Sequence, residues 1–269
     1  MSLLTPMLRS SPLTDWFSDA QRVQGMLDFE AALAQAQAVC GMVPPEAVGP
    51  IVAACRHETI DFAALGEAAV GAGNLAIPLV KQLTVQVKAR DPEAARYVHW
   101  GATSQDAIDT GLVLQLRGAL DAAETLLEQL LAALALQADR YRDTVMPGRT
   151  WMQHALPVTF GLKLAGTLDA LLRWQQRLRE MRPRLLVLQF GGAAGTLDAL
   201  KEKGPAVGQA LAQILGLSLP DTPWHSQRDR LLEAGAWFAG VCGTLGKFAN
   251  DFSLLMQTEV AEVGEPVAE

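Results

Sequence analysis

The sequence predicts an all-helical protein, and three observations carry that expectation. Ala, Leu and Gln recur while aromatic residues make up only 6% of the 269 residues. No convincing set of alternating strand patterns occurs, and the long apolar stretches repeat in steps of three, four and seven. Half of the residues are hydrophobic and 19% are charged, which suits a folded chain with a sizeable core and excludes disorder as a description of the whole. No Ser/Gly-rich or Pro-rich linker separates domains, so any domains run into one another through helices.

Taken in order, residues 18–39 read as a first amphipathic helix. Gly41, Pro44 and Pro45 end it and restart another, which continues to about Arg56. Two or three short helices follow over 61–97, punctuated by Gly71, Gly73, Pro78 and Pro92. From Ser104 to about Arg142 the pattern becomes one long helix, with Leu116, Leu120, Leu127, Leu130 and Leu134 on one stripe and Leu112, Leu126, Leu131 and Leu136 off it. A helix that is apolar on several sides must be covered on several sides, which places it inside a bundle. Residues 155–181 read as a second long helix and 228 to about 263 as a third, with a loop over 185–195 and shorter helices through Leu215 between them. Helices of this length and apolarity predict a homo-oligomer.

A net charge of −7 with both signs interspersed argues against a nucleic-acid partner. The densest basic run, Arg173, Arg177, Arg179, Arg182 and Arg184, spreads around a helix and reads as solvated surface or subunit contact. Cys40, Cys55 and Cys242 are widely spaced in apolar contexts, as expected of buried thiols in a reducing compartment, without a disulfide or zinc site. No basic segment leads into an apolar leader and no apolar run reaches 18 residues, so no membrane partner is expected and the cytoplasm is the expected location. The sequence contains no G-x-S-x-G elbow, Walker loop or H-E-x-x-H, and isolated His57 and His225 read as surface or satisfied histidines; neither metal nor cofactor is expected.

Four segments could carry chemistry. In HWGATSQDAIDT (99–110), Thr103 and Asp106 have capping-box spacing, which accounts for those two residues. It leaves His99, Trp100, Ser104 and Gln105 at a helix start, where the positive end of the dipole suits a carboxylate. In PGRTWMQHALPVTFG (147–161), Arg149, Thr150, Gln153 and His154 offer donors to an anion and Trp151 a flat apolar wall; the plainer reading is a helix start with Trp151 in the core. GGAAGT (191–196) lacks nucleotide-loop spacing and reads as a tight turn with close backbone approach. The last polar series, with Gln227, Arg228, Asp229, Asn250, Asp251, Gln257, Glu259 and Glu262, reads mainly as exposed or paired between helices.

Together with QGMLDFEAALAQAQ (24–37) and WHSQRD (224–229), these segments resemble the motif regions of the fumarase/aspartase superfamily over nearly the whole chain and in the same order. The resemblance implies that superfamily's all-α fold, with an N-terminal helical domain over 1–103 and a central long-helix bundle over 104–269 that assembles as a homotetramer. Lyases of the superfamily carry histidine where this sequence has Trp151, whereas the 3-carboxymuconate cycloisomerase branch resembles it in carrying Trp. An indole cannot exchange a proton near neutral pH. The branch implies a cofactor-free lactonisation of a small tricarboxylate, 3-carboxy-cis,cis-muconate, in protocatechuate catabolism. Thr103, Ser104 and Gln105 match positions that bind a substrate carboxylate, Thr150 and Gln153 match second-region contacts, and His99 is implied in charge stabilisation or proton transfer. The superfamily's mobile loop with its catalytic serine is expected beyond Glu269, together with a further helix and a C-terminal domain, and the 269 residues alone are expected to be inactive. Two other readings stay open: a lyase releasing fumarate from an adenylosuccinate-like substrate, which His154 favours, and a silent helical scaffold.

Overall fold

The computed structural model describes residues 11–265. Helices α1 (Asp19–Val39), α2 (Pro45–Ala54), α3 (Phe62–Ala72), α4 (Ala76–Arg90) and α5 (Ser104–Arg140) lead into a two-stranded antiparallel hairpin, β1 (Val145–Thr150) and β2 (Gln153–Thr159). Helices α6 (Phe160–Leu185), α7 (Gly204–Leu215) and α8 (Asp229–Leu255) follow. The chain packs as two compact units, Met1–Ala122 with Pro183–Arg228 and Ala123–Arg182 with Asp229–Glu269. The expected division between residues 103 and 104 falls at the start of α5, inside the first unit, and its outer ends, 1–10 and 266–269, lie outside the described residues.

The first unit is organised around α1. Ser18 caps it by accepting the Gln21 N–H at 3.3 Å, as its position before the apolar run predicts. The helix is buried on most of its faces instead of one: Val23, Met26, Leu27, Phe29, Leu33 and Ala36 are all enclosed. It meets α5 backbone to backbone, where a Cβ on Gly25 would lie 2.6 Å from the Gly111 carbonyl oxygen, so both crossing residues must be glycine.

In the second unit, the Trp174 indole donates to Thr244 Oγ1 at 2.9 Å and the Trp237 indole to the Trp174 carbonyl at 2.9 Å, tying α6 to α8. Tyr141 and Phe252 both pack against Phe160 at the start of α6. The arginines of α6 are answered locally: Arg173 by Asp169, Arg179 and Arg182 by Glu124, while Arg177 lies over the Trp174 ring. On α5, Leu127, Leu131 and Leu134 are buried, whereas Leu126 and Leu136 remain exposed.

Two expectations need correction. The helix expected over 155–181 begins five residues later and runs to Leu185, because residues up to Thr159 belong to a hairpin. Pro157 lacks a helical donor, Val158 and Thr159 are β-branched, and Thr159 Oγ1 then accepts the Leu162 N–H at 3.1 Å to start α6. The helix expected to reach about Val263 ends at Leu255. Among the described residues no helix is long and apolar enough to cross a membrane.

Candidate active site

Two of the four segments singled out above, 99–110 and 191–196, come together in the first unit, and Asp106 is the point at which they meet. Its carboxylate, at 0% exposure, accepts the N–H of Thr103 at 3.0 Å, of Gly191 at 3.0 Å and of Gly192 at 2.9 Å, and the Gln189 side-chain amide at 3.0 Å. Half of the predicted capping box is therefore present, and the same carboxylate also anchors the double-glycine turn. Burial holds the Asp106 carboxyl above its usual range even though the Gln189 amide and three backbone N–H groups favour its charged form. Gln189 in turn accepts the Trp224 N–H at 2.6 Å, and Thr110 Oγ1 exchanges bonds with the Gln189 backbone at 2.8 and 3.0 Å. The close approach expected at Gly191–Gly192 is to the first segment itself: a Cβ on Gly192 would sit 3.1 Å from the Gly101 carbonyl oxygen.

This lattice places Thr103, Ser104 and Gln105 half-buried at the N-terminus of a 37-residue helix. Unsatisfied N–H groups and the dipole give such a terminus an affinity for anions. His99 stands beside it with a φ of +59°, followed by Gly101 at +77°. A side chain on Gly101 would collide with Leu200. From α1, Glu30 Oε1 lies 2.5 Å from His99 Nδ1, and the Gln37 amide donates to the Trp100 carbonyl at 2.6 Å. Burial alone would lower the His99 pKa; the charge and hydrogen bond of Glu30, with the charge of Asp106, outweigh it and raise the pKa overall. A second ion pair supports the same unit: exposed Arg228 holds the buried carboxylate of Asp109 in a two-pronged bond at 2.6 and 2.8 Å.

The PGRTWMQHALPVTFG segment lies in the second unit and forms the hairpin. Its apex is Trp151–Met152, with φ of +54° and +59°, a two-residue turn of the kind usually made by Asn-Gly. Trp151 is 95% exposed, which overturns the core reading. Thr150, Gln153 and His154 are exposed beside it, while Arg149 is half-buried in a two-pronged bond to Glu262 at 2.7 and 2.6 Å. Gly148 makes the bulge that re-aims this ladder, since a Cβ there would lie 2.7 Å from the Leu156 carbonyl oxygen. Sequence reasoning missed Glu30, Gln37, Asp109 and Gln189 as parts of the site. The signal was available for two of them: Glu30 and Gln37 are polar residues seven apart in step with the apolar positions Val23, Met26, Leu27, Leu33 and Ala34 of α1.

His57 Nδ1 is bonded to Gln24 Oε1 at 3.1 Å. His225, expected to be surface or satisfied, instead has a buried Nδ1 without a partner among the described residues. Among those residues, no cluster of three or more His, Cys, Asp and Glu side chains could hold a metal ion.

The sequence model of the family described as Lyase matches residues 8–269, and the chain belongs to that family. It is 62% identical over 257 residues to a 3-carboxy-cis,cis-muconate cycloisomerase of Pseudomonas aeruginosa, covering 96% of this chain and 56% of that protein. The crystal structure of the 3-carboxy-cis,cis-muconate lactonizing enzyme from Pseudomonas putida superposes with a TM-score of 0.97 at 57% identity, covering 99% of this chain and 61% of that one. A fumarate lyase from Mesorhizobium sp. BNC1 superposes with a TM-score of 0.89 at 43% identity, covering 94% and 59%. The expected all-helical superfamily fold is borne out, with the hairpin as an addition. The chain spans less than two thirds of the length of these relatives.

Proposed function

We propose that this chain supplies the first two substrate-binding regions of a cofactor-free 3-carboxy-cis,cis-muconate cycloisomerase, which works as a cytoplasmic homotetramer. In the reaction, a carboxylate oxygen of the substrate adds across a conjugated double bond, the adjoining carbon takes up a proton, and a γ-lactone forms with no atoms lost. The demands are to neutralise a tricarboxylate, to stabilise the charge that builds up on the reacting carboxylate system and to deliver one proton. Thr103, Ser104 and Gln105 at the head of α5 are assigned to a substrate carboxylate, and His99 to charge stabilisation beside it. Arg149, Thr150, Trp151, Gln153 and His154 form the second region, with residues 1–103 and 104–269 as the two domains that carry them.

The observation that carries this reading is Trp151. It stands at the apex of a hairpin, 95% exposed, where its indole has nothing of its own unit to cover. We assign it to a site completed by a second copy of the chain, as an apolar wall that cannot act as acid or base. Exposed Leu126 and Leu136 on α5 suit the same assembly. The test is to incubate the complete polypeptide with 3-carboxy-cis,cis-muconate and with adenylosuccinate and to follow ultraviolet absorbance. Loss of the diene band with the first alone supports the assignment; turnover of the second alone overturns it.

A further inference from the structure

We propose that Glu30 is a positioning residue for the candidate active site: its buried carboxylate engages His99 Nδ1, so that the ring presents an Nε2–H donor to an anionic oxygen of the substrate and does not act as a base. This rests on His99 touching the substrate, as assigned above. The Glu30 side chain is 1% exposed, and the His99 ring is its one ion-pair partner among the described residues, at 2.5 Å. Its second oxygen, Oε2, has no hydrogen-bond partner there. A carboxylate so enclosed needs a counter-charge, and the imidazolium is the group placed to provide it. With Nδ1 engaged, Nε2 is the ring nitrogen left for a ligand.

The geometry is imposed from outside the loop. His99 holds a left-handed φ of +59° that a residue with a side chain keeps only when its surroundings demand it. The demand comes from α1, which grips the dipeptide twice, through Glu30 on the His99 ring and through Gln37 on the Trp100 carbonyl. The charged groups acting on the ring are Glu30 from α1 and Asp106 from the start of α5, both acidic, and together they outweigh the effect of burial and favour the protonated ring. A protonated ring can donate at Nε2 and cannot accept there, which separates this role from that of a general base.

The test uses Glu30→Gln, Glu30→Asp, His99→Asn and the Glu30→Gln/His99→Asn double variant in the complete polypeptide, with kcat/KM for lactonisation measured against pH. The expected result is a loss of about tenfold or more in both Glu30→Gln and His99→Asn, partial recovery in Glu30→Asp, and no further loss in the double variant. The alkaline limb of the Glu30→Gln profile is expected to move to lower pH by about one unit, because the imidazolium has lost its counter-charge. An impaired His99→Asn beside a Glu30→Gln with unchanged rate and profile overturns the proposal and leaves the assignment of His99 intact. A fully active His99→Asn overturns both. Should Glu30→Gln not fold, the ¹⁵N spectrum of His99 in the unaltered protein decides. At pH 6.5 a predominantly doubly protonated ring supports the proposal, and a neutral ring protonated at Nδ1, with Nε2 bare and able to accept a proton, contradicts it.

Discussion

Asp106 Oδ2 accepts the Gly192 N–H at 2.9 Å across 86 residues of sequence, and that bond fastens the turn of one motif to the helix start of another. The same carboxylate satisfies four donors inside the fold. In Asp106→Ala the Gly191 and Gly192 N–H groups and the Gln189 amide are left buried and unpaired. A loss of about 3–5 kcal/mol is expected from unfolding in urea, since each orphaned group costs roughly 1–3 kcal/mol. A change below about 1 kcal/mol would show that the turn does not depend on Asp106.

Gly101 is required twice over, by its φ of +77° and by the Leu200 side chain against its α-carbon. Gly101→Ala is expected to cost about 2–3 kcal/mol, of which Leu200→Ala in the same chain relieves only the steric part. Thermal unfolding of the two variants separates the contributions.

The two large ion pairs are not equivalent. Asp109 is fully buried although its partner Arg228 keeps 45% side-chain exposure, so Arg228→Met strands a buried carboxylate and is expected to cost about 2–4 kcal/mol. Arg149 and Glu262 retain 24% and 23% side-chain exposure, and Glu262→Gln is expected to cost under about 1 kcal/mol. Urea midpoints for the two variants check the order.

The folded state also binds the protons of His99 and Asp106 more tightly than the unfolded chain does. The pKa of His99 is raised above 6.5, so what the Glu30 pair contributes is full below about pH 6.5 and is lost as pH climbs through the raised value. The pKa of Asp106 is raised above 3.8, so its contribution likewise declines as pH rises through its own raised value. Both slopes have the same sign. Stability is expected to fall between pH 6 and 8.5 in the unaltered protein and to vary less in His99→Asn; a midpoint that rises over that interval in the unaltered protein alone contradicts the pairing.

The long helices, their order and the capped start of α5 were legible because each rests on a local rule: apolar period, capping residues and the position of proline and glycine. The hairpin was not. Its strands are short, its apex is Trp-Met where a turn of that kind usually has Asn-Gly, and its alternation is broken by Gly148 and by Pro147 facing Pro157. The partners of His99 and Arg228 were also hidden, since Glu30 lies 69 residues from His99 and Asp109 lies 119 from Arg228. Spacing within a motif carries no record of such contacts; what does show is a lone polar side chain on an apolar helix face, as at Glu30 and Gln37.

The most direct measurement of the central claim is the product formed by the complete polypeptide from 3-carboxy-cis,cis-muconate in D₂O, read by NMR and mass spectrometry. A cycloisomerase with Trp151 at the hairpin apex predicts a lactone isomeric with the substrate that carries a single carbon-bound deuteron. Recovery of the unchanged triacid, together with release of fumarate from adenylosuccinate by the same preparation, would contradict it.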